Sequence, residues 1–152
     1  MGRFAAVLVA VLTMTSCGGT TPVDPIVPLD TGFAKIWNGA MTLACTGAGT
    51  TVYPAGTLEI TVSGSNLTTR LSCVVGNGTS VTATGSSSTT ATWTGSFSCP
   101  SDVQASCPSG WVFTHTSRTY TLNANKTLTV SGIGTLSCSG TTTDCTTSFP
   151  GT

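Results

Sequence analysis

The sequence predicts an all-β domain built as an antiparallel up-and-down meander of about eight strands. Apolar residues recur at every second position through most of residues 33–149, which is the period of a strand with one buried face. The alternating runs are short and are separated by clusters of Gly, Asn, Ser and Pro. No segment after residue 17 carries the 3.6-residue apolar period of a helix over a helical length.

The N-terminal segment predicts export from the cytoplasm. It begins with the positive Arg3 and continues into an apolar run of eleven residues, Phe4 to Met14. A helix needs about 20 apolar residues to cross the hydrocarbon core of a membrane, so this run is too short to span it. A positive charge, an apolar run and then small residues are typical of a secretory signal. We therefore predict that residues 1–16 are a signal peptide.

The end of this segment, Met14-Thr15-Ser16-Cys17, resembles the lipobox of bacterial lipoproteins, although Met14 stands where leucine is usual. The resemblance implies that Cys17 becomes the first mature residue and carries lipid, which would anchor the protein to a membrane. Lipoproteins kept at the inner membrane carry aspartate after the cysteine. This chain has Gly18 there, so the resemblance implies the outer membrane. The alternative is an ordinary cleaved signal that leaves Cys17 as a free thiol.

Residues 17–32 are predicted to be the lipidated terminus and a linker. Pro22, Pro25 and Pro28 recur at every third position, which favours an extended and semi-rigid chain. Such a segment would hold the domain away from the membrane; alternatively, part of it packs along the domain as an extra strand. Residues 33–149 then form a single β domain, since their length suits one domain and is too short for two.

Eight strands are predicted from runs whose alternate residues share one face. The sixth run changes its parity, because Trp111, Phe113 and His115 share one face whereas Tyr120 and Leu122 have the other. One extra residue reverses the facing of a strand, so a bulge is expected near residues 116–118. The runs are Trp37–Cys45, Leu58–Val62, Leu67–Val75, Val81–Ala83, Ala91–Cys99, Trp111–Leu122, Leu128–Val130 and Leu136–Cys138.

The breaks between these runs have turn chemistry. Pro54, Pro100 and Pro108 are placed in loops, because proline lacks the N–H group that a strand ladder uses. The predicted turns are Tyr53–Gly56, Ser63–Asn66, Gly76–Gly78, Gly85–Ser88, Asn123–Asn125 and Gly132–Gly134.

The strand number and the opening Trp37-Asn38-Gly39 resemble the small calycin-type barrels of the lipocalin-like and avidin-like families. The resemblance implies a closed barrel, an arrangement that removes exposed strand edges. A β-sandwich is the alternative architecture, because the number of strands does not by itself decide whether the sheet closes.

The cysteines predict a disulfide framework. The chain has seven, and assigning Cys17 to lipid leaves six that can pair completely. The sequence contains no Cys-x-x-Cys and one histidine, so neither a metal site nor a cofactor is expected. The residues predicted to form disulfides are Cys45, Cys73, Cys99, Cys107, Cys138 and Cys145.

The pairing of these six cysteines is left open by the sequence. Two short spans suggest pairs, Cys99 with Cys107 and Cys138 with Cys145, and the two earlier cysteines would then pair with each other. Cys107 and Cys145 are expected in loops soon after a strand cysteine. Six cysteines allow many connectivities, and the sequence does not choose among them.

Charge and titratable residues exclude several functions. The chain has five basic and five acidic residues. Signal cleavage would remove Arg3 and leave a net charge of about −1. The sequence has no basic patch that would bind nucleic acid. His115 is the single histidine, and no two acidic residues lie close together on one predicted strand face. Paired acid–base catalysis therefore has no visible site, and a hydrolase that uses His115 is a disfavoured alternative.

The aromatic residues are the remaining candidates for function. Most would simply fill the core, but in a barrel that is incompletely filled they would line a cavity. The predicted function is a non-catalytic, membrane-tethered binding module for a small apolar ligand. The alternatives are a protein-interaction, inhibitor or structural envelope protein. The candidate ligand-lining residues are Trp37, Trp93, Phe97, Trp111, Phe113 and His115.

Overall fold

The structure is a computed structural model that describes residues 26–47, 49–73, 78–101, 107 and 109–152. The predicted signal peptide, Cys17 and the first part of the predicted linker lie outside the described residues. The same is true of four residues placed above in strands or loops: Val75, Gly76, Asn77 and Pro108.

Eight strands make up the domain: β1 (Ile36–Cys45), β2 (Gly49–Ser63), β3 (Asn66–Leu71), β4 (Thr79–Ser87), β5 (Thr90–Ser101), β6 (Trp111–Leu122), β7 (Leu128–Cys138) and β8 (Thr141–Gly151). Each strand pairs antiparallel with its neighbours in sequence, and β8 pairs with β1 to close a barrel. This arrangement confirms the predicted all-β meander and its closure, so the sandwich is excluded. The barrel is compatible with a calycin-like fold.

The strands bury every second residue, as the alternation of the sequence predicts. In β7, for example, Leu128, Val130 and Leu136 are buried, whereas Thr129 and Ser131 between them are exposed. Threonine is well suited to the exposed face of a sheet, because its branched side chain favours an extended backbone and its hydroxyl stays in water. The buried residues pack inside the barrel.

The connections alternate between the two ends of the barrel, because consecutive strands run in opposite directions. We call the end with the β2–β3, β4–β5 and β6–β7 turns the plugged end. The opposite end carries the other connections and the three disulfides, and we call it the disulfide end.

The segment before β1 closes the plugged end. The backbone N–H groups of Leu29 and Asp30 donate to carbonyls in the β2–β3 and β4–β5 turns. The Asp30 carboxylate accepts from the N–H of Gly32 and caps a short 3₁₀ helix, Thr31–Phe33. Leu29 and Phe33 are buried in the apolar core. The packed domain thus begins at Leu29, so the end of the predicted linker is a plug and not an extra strand.

The predicted break in β7 is wrong. Residues 128–138 form one strand, and Gly132-Ile133-Gly134 lies inside it, so the run Leu136–Cys138 is not a separate strand. The two glycines leave space for large side chains of β6. A Cβ atom on Gly134 would lie 2.7 Å from Cζ of Phe113, and one on Gly132 would lie 3.1 Å from Cγ of Arg118.

The strand β8 has no counterpart among the predicted strands. Its buried positions include Cys145, Thr147 and Phe149, and threonine contributes little apolar signal to the alternation. Cys145 therefore lies in a strand and not in the expected loop.

The register of the barrel accounts for two prolines and one bulge. Pro54 lies within β2, not in the predicted turn, at residues 53–56 where the pairing with β1 shifts and the ladder is interrupted. Pro100 also lies in a strand, near the end of β5 and beyond the last residue that β5 pairs with β4. The predicted bulge in β6 is confirmed, because its register with β7 shifts between His115 and Ser117.

The six cysteines form three disulfides, which confirms the predicted framework, but none of the suggested pairs occurs. The suggested pairs joined cysteines that are close in sequence, whereas closure of the barrel brings β1 beside β8 and gathers alternate connections at one end. The bonds join Cys45 to Cys145, Cys73 to Cys99 and Cys107 to Cys138.

Candidate functional site

The candidate site is a cavity where β2 and β3 separate. The described pairing between these strands runs from Ser63–Asn66 to Ile60–Thr69 and ends there, so the strands part towards the disulfide end. Residues of both strands line a cavity of about 240 Å³, which we call the β2–β3 cavity. Its lining includes Met41, Tyr53, Leu58, Arg70, Arg118 and Phe149.

Part of this cavity is apolar. Leu58 and Phe149 belong to the larger apolar cluster of the barrel, and the half-buried Met41 packs against that cluster. Methionine is unbranched and polarisable, so it adapts to ligands of different shape. These three side chains come from β2, β8 and β1, and they offer a surface on which a hydrocarbon group would be removed from water.

Arg118 brings a positive charge to the cavity. The bulge in β6 reverses the facing of the strand, so that Arg118, Tyr120 and Leu122 are all buried. Only 7% of Arg118 is exposed, and its Nε atom has no hydrogen-bond partner among the described residues. A buried charged group that is incompletely hydrogen-bonded is costly, so this arginine is an unusual component of a barrel interior.

No carboxylate neutralises Arg118 within the part of the chain that the structure describes. The ion pair found there joins Lys126 to Asp30, with 3.6 Å between Nζ and Oδ2, at the plugged end. Tyr120 interacts electrostatically with Arg118, but its hydroxyl makes no hydrogen bond of regular geometry with a described residue. Burial lowers the pKa of Arg118. Burial also raises the pKa of Tyr120, although the positive charge of Arg118 acts in the opposite direction. The phenol therefore stays neutral and supplies no counter-charge.

His115 lies beside a much smaller space of about 20 Å³. Its ring is stacked on Phe97, with 6.2 Å between centroids, and meets Phe113 edge-on at 4.5 Å. Burial lowers the pKa of His115 to about 3, with the charge of Arg118 as a smaller cause. The Nδ1 atom has no described hydrogen-bond partner. A neutral ring held between two phenyl rings is a packed residue, and this arrangement differs from the serine–histidine–carboxylate cleft that the hydrolase alternative requires.

None of the six predicted ligand-lining residues lines the β2–β3 cavity. Phe113 and His115 line the small space, and Phe97 stacks on His115. Trp37 is fully buried and Trp93 packs against the same cluster, while Trp111 packs against a second cluster near the disulfide end. These aromatic side chains fill the interior where they lie, and the empty space lies beside a different set of residues, among them Met41, Leu58 and Phe149.

The sequence reasoning missed Arg118 and Arg70 as site residues, although one signal for Arg118 was present. After the predicted bulge, residue 118 has the same parity as Tyr120 and Leu122, which were placed inside the barrel. A charged residue on a buried face indicates a functional position more strongly than an aromatic residue does. The exposed Arg70 carries no comparable signal, because its role depends on the separation of β2 from β3.

The described residues contain no cluster of three or more His, Cys, Asp or Glu side chains that could hold a metal ion. Within the same residues, no helix is both long enough and apolar enough to cross a membrane. No protein-family model, no curated protein and no solved structure matches this chain.

Proposed function

We propose that the protein is an exported, membrane-tethered and non-catalytic binding protein for a small ligand with an apolar body. The observation that carries this proposal is the β2–β3 cavity, where Met41, Leu58 and Phe149 present apolar surface in a space of about 240 Å³. At roughly 30 Å³ per water molecule, this space would hold about eight water-sized groups. It suits a small organic molecule and not a long acyl chain.

Export is supported by the three disulfides, because such bonds persist in oxidising compartments outside the cytoplasm. The tether itself rests on the resemblance of residues 14–17 to a lipobox. In this proposal the lipid on Cys17 holds the protein at the outer membrane, and the proline-containing segment before Leu29 separates the barrel from the lipid surface.

Ligand binding is tested by filling the cavity. Ser72 lines both the β2–β3 cavity and the small space, and its side chain is exposed, so the variant Ser72→Trp is expected to block the cavity with little effect on folding. We expect 1-hexanol, hexanamide or hexanoate to shift the NMR signals of Met41 and Leu58 in the wild-type protein. These shifts should be lost in Ser72→Trp.

The matched control is Ser131→Trp, which places the same side chain on the exposed outer face of β7. It should keep the wild-type shifts. If none of the three probes binds the wild-type protein, or if Ser72→Trp binds them as well as Ser131→Trp does, the proposed function is wrong.

The lipid anchor is tested separately on the mature N-terminus. Mass spectrometry of the protein from a bacterial host with lipoprotein-processing enzymes should find Cys17 as the first residue, with a mass increase from acyl chains. The variant Cys17→Ser should leave the membrane fraction, because a single unlipidated segment provides no stable anchor. An unmodified Cys17 in the wild-type protein would refute the tether and leave ligand binding unaffected.

A further inference from the structure

We propose that the β2–β3 cavity selects small organic monocarboxylates, with the carboxylate held at Arg118 and the hydrocarbon part on Met41, Leu58 and Phe149. This inference rests on the proposed function, because it names the ligand class of the same cavity. It goes further in stating that the ligand carries a negative charge.

Arg118 carries a buried charge that no described carboxylate matches. Its guanidinium group stays protonated in proteins, and only 7% of the side chain is exposed. No described carboxylate lies within ion-pair distance, and Nε has no hydrogen-bond partner among the described residues. Removing such a group from water is unfavourable unless a counter-ion and hydrogen bonds compensate. An anionic ligand supplies both, and a neutral apolar ligand would supply neither.

The titratable groups beside Arg118 cannot take the place of an anionic ligand. Tyr120 and His115 are the titratable residues that interact with Arg118, and both are held neutral by burial. Neither can provide a negative charge near neutral pH. The buried hydroxyl of Tyr120 and Nδ1 of His115 also lack described partners, so the polar residues of this layer are incompletely satisfied without a ligand.

A second arginine adds positive charge to the cavity. Arg70 lines the same cavity from β3, and unlike Arg118 it is exposed to solvent. A charge at an exposed position attracts an anion from solution, and a buried charge with no described counter-ion holds it. The two arginines therefore place positive charge both at the exposed gap between β2 and β3 and in the interior of the barrel.

The size of the cavity and the presence of one buried cation among the described residues define the ligand more closely. Space for about eight water-sized groups fits a carboxylate with a short alkyl or phenyl group. A second negative charge on the ligand would lie against apolar side chains, where it would be poorly solvated. The favoured class is thus a monoanion with an apolar end.

The experiment compares hexanoate with hexanamide, which has the same shape without the charge. Binding is measured by NMR titration of the wild-type protein, of Arg118→Met and of Lys126→Met, the last being a control that removes one positive charge at the plugged end. We expect hexanoate to bind the wild type and Lys126→Met equally. It should bind Arg118→Met about tenfold more weakly or worse, since hydrogen bonds to charged groups contribute strongly. Hexanamide should bind all three proteins alike and weakly.

A second measurement needs no variant and so covers the case in which Arg118→Met does not fold. In the wild-type protein, the pKa of bound [1-¹³C]hexanoate, followed by its carboxyl chemical shift, should lie below that of the free acid, because a nearby arginine stabilises the carboxylate. If hexanamide binds as well as hexanoate, or the bound acid titrates like the free acid, the charge selection is refuted and the apolar site remains. If neither probe binds, the charge selection is refuted, and if 1-hexanol also fails to bind, the proposed function is wrong as well.

Discussion

Acidification from pH 6.5 to about 3 is expected to lower the free energy of unfolding by roughly 5 kcal/mol through His115 alone. Above pH 6.5 the histidine is neutral in both the folded and the unfolded chain, so it imposes no penalty. Between the two pH values the unfolded chain binds a proton that the folded barrel does not. Stability should therefore fall by about 1.4 kcal/mol for each pH unit and level off near pH 3, where the folded state also becomes protonated.

The physical cause is the packing of the imidazole between Phe97 and Phe113, which removes water from the charged form, together with the positive charge of Arg118. Tyr120 is neutral in this range and does not contribute to the slope. Asp30 contributes separately, because its pKa is lowered by the N–H of Gly32, and the stabilisation from its ionised form is lost at acid pH. The test must separate these two residues.

Chemical denaturation at a series of pH values, for the wild type and for His115→Gln, separates them. Glutamine does not titrate, so this variant should lose the slope between pH 6.5 and 4 and keep the contribution of Asp30. The stability of the variant at neutral pH does not matter, since only the dependence on pH is compared. Parallel pH profiles for the two proteins would show that His115 is not held neutral in the barrel.

Removing the disulfide between Cys45 and Cys145 is expected to cost about 5 kcal/mol, the largest loss from any of the three bonds. These cysteines are 100 residues apart in sequence. In the chain-entropy model, a cross-link between residues so far apart constrains the unfolded chain more than a short one does. The bond also lies at the closing seam, at the end of the β1–β8 ladder that runs from Thr42–Ser148 to Cys45–Cys145.

The matched control removes the disulfide between Cys73 and Cys99, which are 26 residues apart. The same model gives a loss of about 3.5 kcal/mol for that bond. Each pair is replaced by alanines, and free thiols are counted in denaturant to verify that the other bonds form. Urea unfolding then compares the two variants, and hydrogen exchange should show earlier opening of β1 and β8 only in the first. An equal or smaller loss on removal of the Cys45–Cys145 bond would contradict this role of the seam.

Much of the barrel could be predicted from the alternation of residues, because the facing of a side chain depends on its own strand. The period of two placed Leu128, Val130 and Leu136 inside, and the change of parity in the sixth run placed the bulge near residues 116–118. The same reasoning failed where the local signal is weak or misleading. Gly132 and Gly134, which make room for Arg118 and Phe113, led to the prediction of a turn. The threonines of β8 give little apolar alternation, so this strand was not predicted.

The cavity could not be predicted, because empty space is a property of several strands together. Large aromatic residues were the natural candidates for a ligand site, yet Trp37 and Trp93 pack in the core. The space arises instead where the pairing of β2 with β3 ends, and its residues come from β1, β2, β3, β6 and β8. No local pattern records how far two strands remain paired.

The strand alternation, the meander and the participation of six cysteines in disulfides could all be inferred from the chain, because they depend on residue type and on spacing along one strand. The pairing of the cysteines, and the burial of Arg118 beside a cavity with no described counter-charge, depend on the folded barrel. The reason is closure: joining β8 to β1 brings Cys145 opposite Cys45 across 100 residues of chain, and it encloses the side chains that face inward.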